Sequence, residues 1–222
     1  MKLVYPEIDR VFDTGSGKVP ALIVENQGLL YRLLSDIRAQ LDGNDGKCVV
    51  SSDGKVLPME KTVELLTEFI PFSLNKKALL NKASAVLERS VLEGELYGEA
   101  LALTQALEAF LMKAAFPLGG DVFFSKVTFS NLLKASGPEF REEYDSLAEK
   151  LLDYMELVTE YERTKLFVLY NLRSLIADRD AELFLDSVLR HGYNVFMIES
   201  GEHTRLSGEQ RYIVDESLCE IG

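Results

Sequence analysis

A chain of 222 residues, 47% hydrophobic and 27% charged, carries enough apolar material for a substantial buried core, either as one domain or as a domain with an insertion. Its 36 acidic and 24 basic residues give a net charge of −12, which excludes a uniformly basic nucleic-acid glove. A basic groove in an acidic exterior stays open, because low-dielectric walls focus the field of a few lysines.

The opening MKLVYPEIDR turns polar too early for a signal peptide, and no run of about 18 apolar residues follows, so a cytoplasmic protein without a membrane span is expected. Strand-like runs appear first at KLVY (2–5) and PALIV (20–24). Between them stands Gly15-Ser16-Gly17-Lys18. A phosphate-binding loop of the Gly-Lys-Ser/Thr type requires glycine where Phe12 stands and a hydroxyl where Val19 stands, and it follows a strand rather than preceding one. The stretch therefore reads as a tight turn between two strands, with glycine taking up positive φ.

From Asn26 to Leu41, Leu29, Leu30, Leu33, Leu34 and Ile37 recur at helical spacing, with Asn26 as N-cap and Gly43 past the end. KCVV (47–50) is the next strand. From Asn75 to Phe116 the apolar positions mark one very long amphipathic helix or two in line, and Glu139 to Arg163 gives another, with Leu147, Leu151, Tyr154, Val158 and Tyr161 along one stripe. Antiparallel packing of the two long helical segments is the simplest way to bury both stripes. LFVLY (166–170), a helix over Asp178 to His191 stopped by Gly192, and NVFMI (194–198) form a βαβ pattern, followed by RYIV (211–214). The chain thus reads as a discontinuous α/β head, residues 1–71 and 165–222, carrying a helical insertion over 72–164. Apolar faces left on the insertion are expected to bury against another subunit.

Catalytic chemistry is sparse. His191 at a helix end reads as a dipole partner, and His203 beside Glu202 as a solvated loop side chain rather than a metal ligand. Cys48 and Cys219, far apart and outside any CxxC or Cys/His spacing, read as buried or half-buried thiols, not as a disulfide or a zinc site. Carboxylate-rich REEYDSLAEK and MELVTEYER match the solvated face of a helix. Lysines gather modestly: Lys76, Lys77 and Lys82 open the long helix, Lys55 sits in an Asp-Gly-Lys turn, and Lys18 sits in the opening loop. Each alone reads as a surface lysine; together, on one side of an oligomer, they would supply sequence-independent affinity for phosphates.

The order of several segments resembles the DNA-end-binding adaptation protein of subtype II-A CRISPR loci. They are MKLVYPEID, LIVENQGLLYRLLSDI, ELLTEFIPFSLN before the long helix, DVFFSKVTFSNLLKASG between the helices, LFVLYNLRSLI followed by a helix and NVFMIES, and the tail RYIVDESLCEI. The likeness runs nearly end to end and lies in the shared order rather than in one fingerprint. It implies an α/β head related to nucleotide-binding ATPases without a working phosphate loop, a helical leg, and a homotetrameric ring threaded by double-stranded DNA ends. No nucleotide is expected. The implied partners are the adaptation integrase and the effector nuclease of the same locus.

Members of that family bind calcium through acidic residues in and near the segment matching DVFFSKVTF. Here Asp121 remains, while Phe123, Ser125 and Lys126 stand where acids would be expected. Asp121 is then the one candidate calcium ligand of the segment, and Lys126 is expected to replace the ion's charge. With the resemblance in hand, Lys18, Lys55, Lys76, Lys77, Lys82 and Lys126 are the candidate phosphate contacts of a non-enzymatic ring acting in spacer acquisition. A degenerate nucleotide-binding ATPase and a helical scaffold that does not touch DNA are the alternatives.

Overall fold

The computed structural model describes residues 1–162 and 165–221. Arg163, where the sequence ends the last long helix of the insertion, Thr164, where it sets a boundary, and Gly222 lie outside the described residues. The chain begins with β1 (Lys2–Val4), β2 (Val11–Asp13), β3 (Val19–Val24) and α1 (Gln27–Leu41). β4 (Val49–Ser52), β5 (Lys55–Leu57), a short α2 (Met59–Thr62) and β6 (Val63–Leu66) follow. Next come α3 (Lys77–Glu93), α4 (Tyr97–Ala115), α5 (Phe129–Ser136) and α6 (Leu147–Glu162). β7 (Leu166–Tyr170), a 3-10 turn at Leu172–Ser174, α7 (Asp178–His191), β8 (Asn194–Glu199), β9 (Glu209–Val214) and β10 (Glu220–Ile221) complete it. The protein is mixed α/β.

Two sheets form, a larger one in the order β10-β9-β3-β8-β7-β6 and a smaller one in the order β2-β1-β4-β5. In the larger sheet β9, β3, β8, β7 and β6 are parallel and β10 is antiparallel to β9. VPALIV, LFVLY and NVFMIE are nearly unbroken apolar runs because strands covered on both faces have no solvent side to make polar. Every residue of β3 is buried.

Leu22, Val24, Leu166, Val168, Phe196 and Ile198 share a core with Leu29, Leu33 and Ile37 of α1 and with Leu3, Phe12 and Val50 of the smaller sheet. The Phe12 and Phe196 rings lie 4.7 Å apart at their centroids. The period-two neighbours Ala21, Ile23, Phe167, Leu169, Val195 and Met197 point to the opposite face and are equally buried. That leaves α6 and α7 as the cover there: the two helices pack on each other and bury Leu151, Met155, Val158, Phe184, Leu185 and Val188.

The chain divides into two compact units, Ser73–Glu142 and the remainder. The second dividing point therefore falls at Glu142/Glu143, not near the expected 164, and α6 belongs to the α/β unit. Its tertiary partners explain why: Tyr154 donates from its hydroxyl to Glu64 Oε1 at 2.6 Å and packs edge-on against Phe72, so the stripe read as a helical-hairpin seam is core of the α/β unit. Burial, together with the neighbouring Glu64 carboxylate, pushes the Tyr154 phenol well above its ordinary range. In the helical unit α3, α4 and α5 contact one another. The long helix breaks at Gly94, where a Cβ would lie 2.3 Å from the Ser90 carbonyl oxygen.

On the surface of the α/β unit, Glu7 accepts from Lys47 Nζ at 2.8 Å and from Arg32 Nε at 2.9 Å, tying the loop after β1 to α1 and to the segment before β4. These two donors hold its carboxyl down from 4.5 to about 2. Because the folded state binds this proton more weakly, the stability the group contributes is complete above about pH 4.5 and is lost as pH falls through about 2. Melting curves of the wild type and Glu7→Gln should accordingly differ at pH 6 and converge towards pH 2. A constant separation would show that the pair carries no proton-linked stability.

Candidate functional site

The GSGK stretch leaves β2 of the smaller sheet and enters β3 of the larger one, so it is a crossing between sheets rather than a hairpin. Asp13 Oδ1 accepts from the Gly15 amide at 2.9 Å, and Gly17 takes φ 79°. Ligands of parallel α/β sheets sit outside the carboxyl ends of the strands, and GSGK lies at the amino end of β3. The position where a phosphate would meet this sheet follows β3 and opens α1. There Asn26 Oδ1 accepts from the Leu29 amide at 2.9 Å, and Asn26 Nδ2 donates to the Glu216 carbonyl at 2.9 Å. A self-capped helix start, fixed in turn to the C-terminal segment, presents fewer free N–H groups to an anion.

The register of the smaller sheet places Lys2 opposite both Asp13 and Ser51, and Ser52 opposite Lys55. Lys2, Lys55 and the loop that leads to Lys18 thus lie at one end of that sheet, on its edges and between them. Lys18 and Lys55 are exposed. Lys2, absent from the sequence-based set, stands at the same sheet end and pairs with Asp13 at 3.9 Å. Nothing in the sequence distinguishes Lys2 from other surface lysines; only strand pairing brings it there.

In the helical unit, Lys76 and Lys77 stand at the start of α3 with Lys82 further along it, Lys77 and Lys82 exposed and Lys76 half-buried. Lys126 is exposed too and lines a cavity of about 310 Å³ together with Glu88, Leu92, Tyr97, Leu101 and Thr104. Asp121 is exposed, in a segment whose neighbours Val122, Phe123 and Phe124 offer no further carboxylate. Calcium takes six to eight oxygens, and among the described residues no group of three or more His, Cys, Asp or Glu side chains is arranged to hold a metal ion. The residues present at this segment do not fit a calcium site.

Two sequence readings need correction. Cys48 is buried, and burial pushes its thiol up to about 12, but Cys219 is exposed, because the DESLCE turn folds outside the core. His203 is not a freely solvated loop side chain: its Nε2 lies 3.6 Å from Glu199 Oε2, while Glu202 faces Arg211. His191, by contrast, ends α7 in the open and stacks on Tyr193, 5.5 Å away.

Glu199 belongs to a buried charge cluster that the sequence does not announce. The Arg173 guanidinium reaches Asp178 Oδ1 at 2.7 Å, the Thr204 carbonyl at 3.0 Å and Glu209 Oε2 at 3.5 Å. Its backbone N–H donates to Glu199 Oε1 at 3.2 Å. Arg211 in turn holds Glu209 Oε1 at 2.5 Å and faces Glu202 Oε2 at 3.6 Å. Burial raises the Glu199 carboxyl to about 7 against the opposing pull of Arg173.

No helix among the described residues is long and apolar enough to cross a membrane. Against known families, the model of the CRISPR-associated protein Cas_Csn2 matches residues 40–218. The chain belongs to this family. Among solved structures, the crystal structure of Stu0660 of Streptococcus thermophilus superposes with a TM-score of 0.55 at 14% identity, covering 91% of this chain and 69% of that one, a likeness of fold. No curated protein matches. Membership in Cas_Csn2 makes the protein CRISPR-associated, as the end-to-end resemblance implied, and its α/β fold is shared with that solved structure.

Proposed function

We propose that this Cas_Csn2 chain is a non-enzymatic protein that grips double-stranded DNA ends as a homotetrameric ring and assists the acquisition of new spacers. The observation that carries the reading is that Lys2 and Lys55 stand at one end of the smaller sheet, the end from which the loop to Lys18 leaves, in a chain of net charge −12. Lysines collected at one place in an acidic protein supply phosphate-directed affinity that carries no sequence information. Lys76, Lys77, Lys82 and Lys126 of the helical unit extend the same role.

Assembly is supported by the helical unit's own surface. Leu103, Phe110, Met112, Phe116 and Phe123 are all more than half exposed, and α4 buries only Thr104. An apolar area of that extent is covered in solution by another chain, and a second copy presents the same surface to it. The adaptation integrase and the effector nuclease of the same locus are the proposed partners of the loaded ring. The Asn26 side chain already takes the Leu29 amide at the start of α1, which leaves fewer N–H groups there for a nucleotide phosphate.

The test compares linear duplex with covalently closed circles of the same sequence in a retention assay. A ring loaded from an end holds the linear form and releases the circle; retention of neither form favours a helical scaffold, and ATP turnover lost in Lys18→Ala favours an ATPase. The proposal also makes the grip independent of calcium, with Lys126 near the place of the ion. Calorimetric titration with calcium is expected to show no stoichiometric binding, and tight binding would overturn that part.

A further inference from the structure

The loop from Ser200 to Gly208, which joins β8 to β9, is fastened from below. Ser200 N donates to Asn171 Oδ1 at 2.8 Å and Ser207 N to Glu182 Oε1 at 2.8 Å, while Arg173 holds the Thr204 carbonyl. Leu206 is buried. Under the loop lie two buried polar atoms without a hydrogen-bond partner, Arg173 Nε and Glu199 Oε2. Glu199 is 2% exposed, and the group facing its orphaned oxygen is the His203 ring, carried by the loop itself. The other charged groups around the pair are Arg173 in the 3-10 turn, Asp178 at the start of α7, Glu209 and Arg211 on β9, and Glu202 in the loop itself.

A buried carboxylate facing a partly exposed imidazole at 3.6 Å accommodates one shared proton better than none or two. With none, Glu199 is a buried anion beside Glu209; with two, His203 is a cation beside Arg173 and Arg211. We propose that closing the 200–208 loop transfers one proton from His203 Nε2 to Glu199 Oε2, and that this exchange makes closure indifferent to pH between mild acid and neutrality. Below the imidazole's ordinary 6.5, the open loop keeps the proton on the imidazole and the carboxylate ionised. On closing, the N–H bond breaks, the O–H bond forms and no proton is exchanged with solvent. The neutral carboxyl then faces a neutral imidazole 3.6 Å away, and neither group is left as a charge against the other's surroundings.

The directions of the individual shifts fit this exchange. Burial raises Glu199, and burial with Arg173 lowers His203. Taken singly the two groups oppose each other. A carboxyl raised on closing favours the closed loop as pH falls from about 7 to 4.5. An imidazole lowered on closing disfavours it as pH falls through 6.5.

The test is amide hydrogen exchange of Ser200 and Ser207 at pH 5, 6, 7 and 8, corrected for intrinsic rates, in the wild type, His203→Gln and Glu199→Gln. Wild-type protection is expected to stay flat to within about threefold, as balanced proton linkage requires. In His203→Gln, protection rises by about tenfold or more between pH 7 and pH 5; in Glu199→Gln it falls over the same interval. Slopes of the same sign in both variants, or a steep slope in the wild type, would overturn the proposal. A second reading needs no variant: the His203 ring proton, one of two histidine signals, should titrate below the ordinary 6.5. Titration at or above that value contradicts the exchange even if a variant fails to fold.

Discussion

Replacing Arg173 with methionine is expected to lower the melting temperature by about 10 °C, because a buried cation that organises several acceptors is removed while the acceptors stay buried. Methionine keeps much of the volume but leaves Asp178 Oδ1 and the Thr204 carbonyl without the guanidinium, and it takes from Glu209 one of its two arginines. Breaking a buried pair from one side costs about 3–5 kcal/mol. The lower end applies, since Arg211 still holds Glu209 Oε1 and Asp178 is partly open to solvent. For a protein of this length each kcal/mol is worth about 2–4 °C. Arg190→Met is the control: its partner Asp186 and it are both exposed, and surface pairs contribute about 0–1 kcal/mol. Equal melting temperatures for the two variants would show that the cluster under the 200–208 loop does not hold the α/β unit together.

The combined variant Lys2→Gln, Lys18→Gln, Lys55→Gln is expected to weaken binding of linear duplex DNA by about a hundredfold or more near 100 mM salt without altering the fold. Each lysine that no longer neutralises a phosphate makes the slope of log K against log salt shallower by about 0.9, and 6–10 neutralised phosphates are worth about three to five decades between 50 and 200 mM. A ring repeats the three positions in every copy, so their effects compound. Glutamine retains much of the side-chain length and its polarity, and all three lysines are exposed. Circular dichroism and melting should therefore match the wild type. An unchanged salt slope with weakened binding would place the phosphate-binding lysines elsewhere and assign the effect to something other than charge.

The strands of the parallel sheet are legible because both faces of it are buried: VPALIV, LFVLY and NVFMI have no polar register to confuse the pattern. The helix from Gln27 is legible from its leucines and its Asn26 cap. What escapes is short or composite. β2, β5 and β6 span three or four residues each, too few for a period to show. α6 carries a stripe that suits a helical hairpin and an α/β core equally, and only the tertiary partners Glu64 and Phe72 decide between them.

At the candidate site the limits are of another kind. Lys18 and Lys55 are visible as individual residues, but that Lys55 shares an end of the smaller sheet with Lys2 follows only from strand register. The Arg173 cluster has no local signature at all: its members come from the 3-10 turn, the start of α7, the end of β8, the loop and β9, and a lone arginine in NLRSL looks like any surface arginine. Failure of GSGK as a phosphate loop is readable from Phe12 and Val19. Its placement at the amino end of β3 adds the topological reason.

Electron cryomicroscopy of the protein mixed with a blunt duplex bears most directly on the proposed grip. The expected image is a closed assembly of four copies around one duplex, with Lys2, Lys18, Lys55, Lys76, Lys77 and Lys82 turned towards the phosphates and the acidic surplus outward. A single copy lying along the side of the duplex, or a central passage lined by carboxylates, would contradict it.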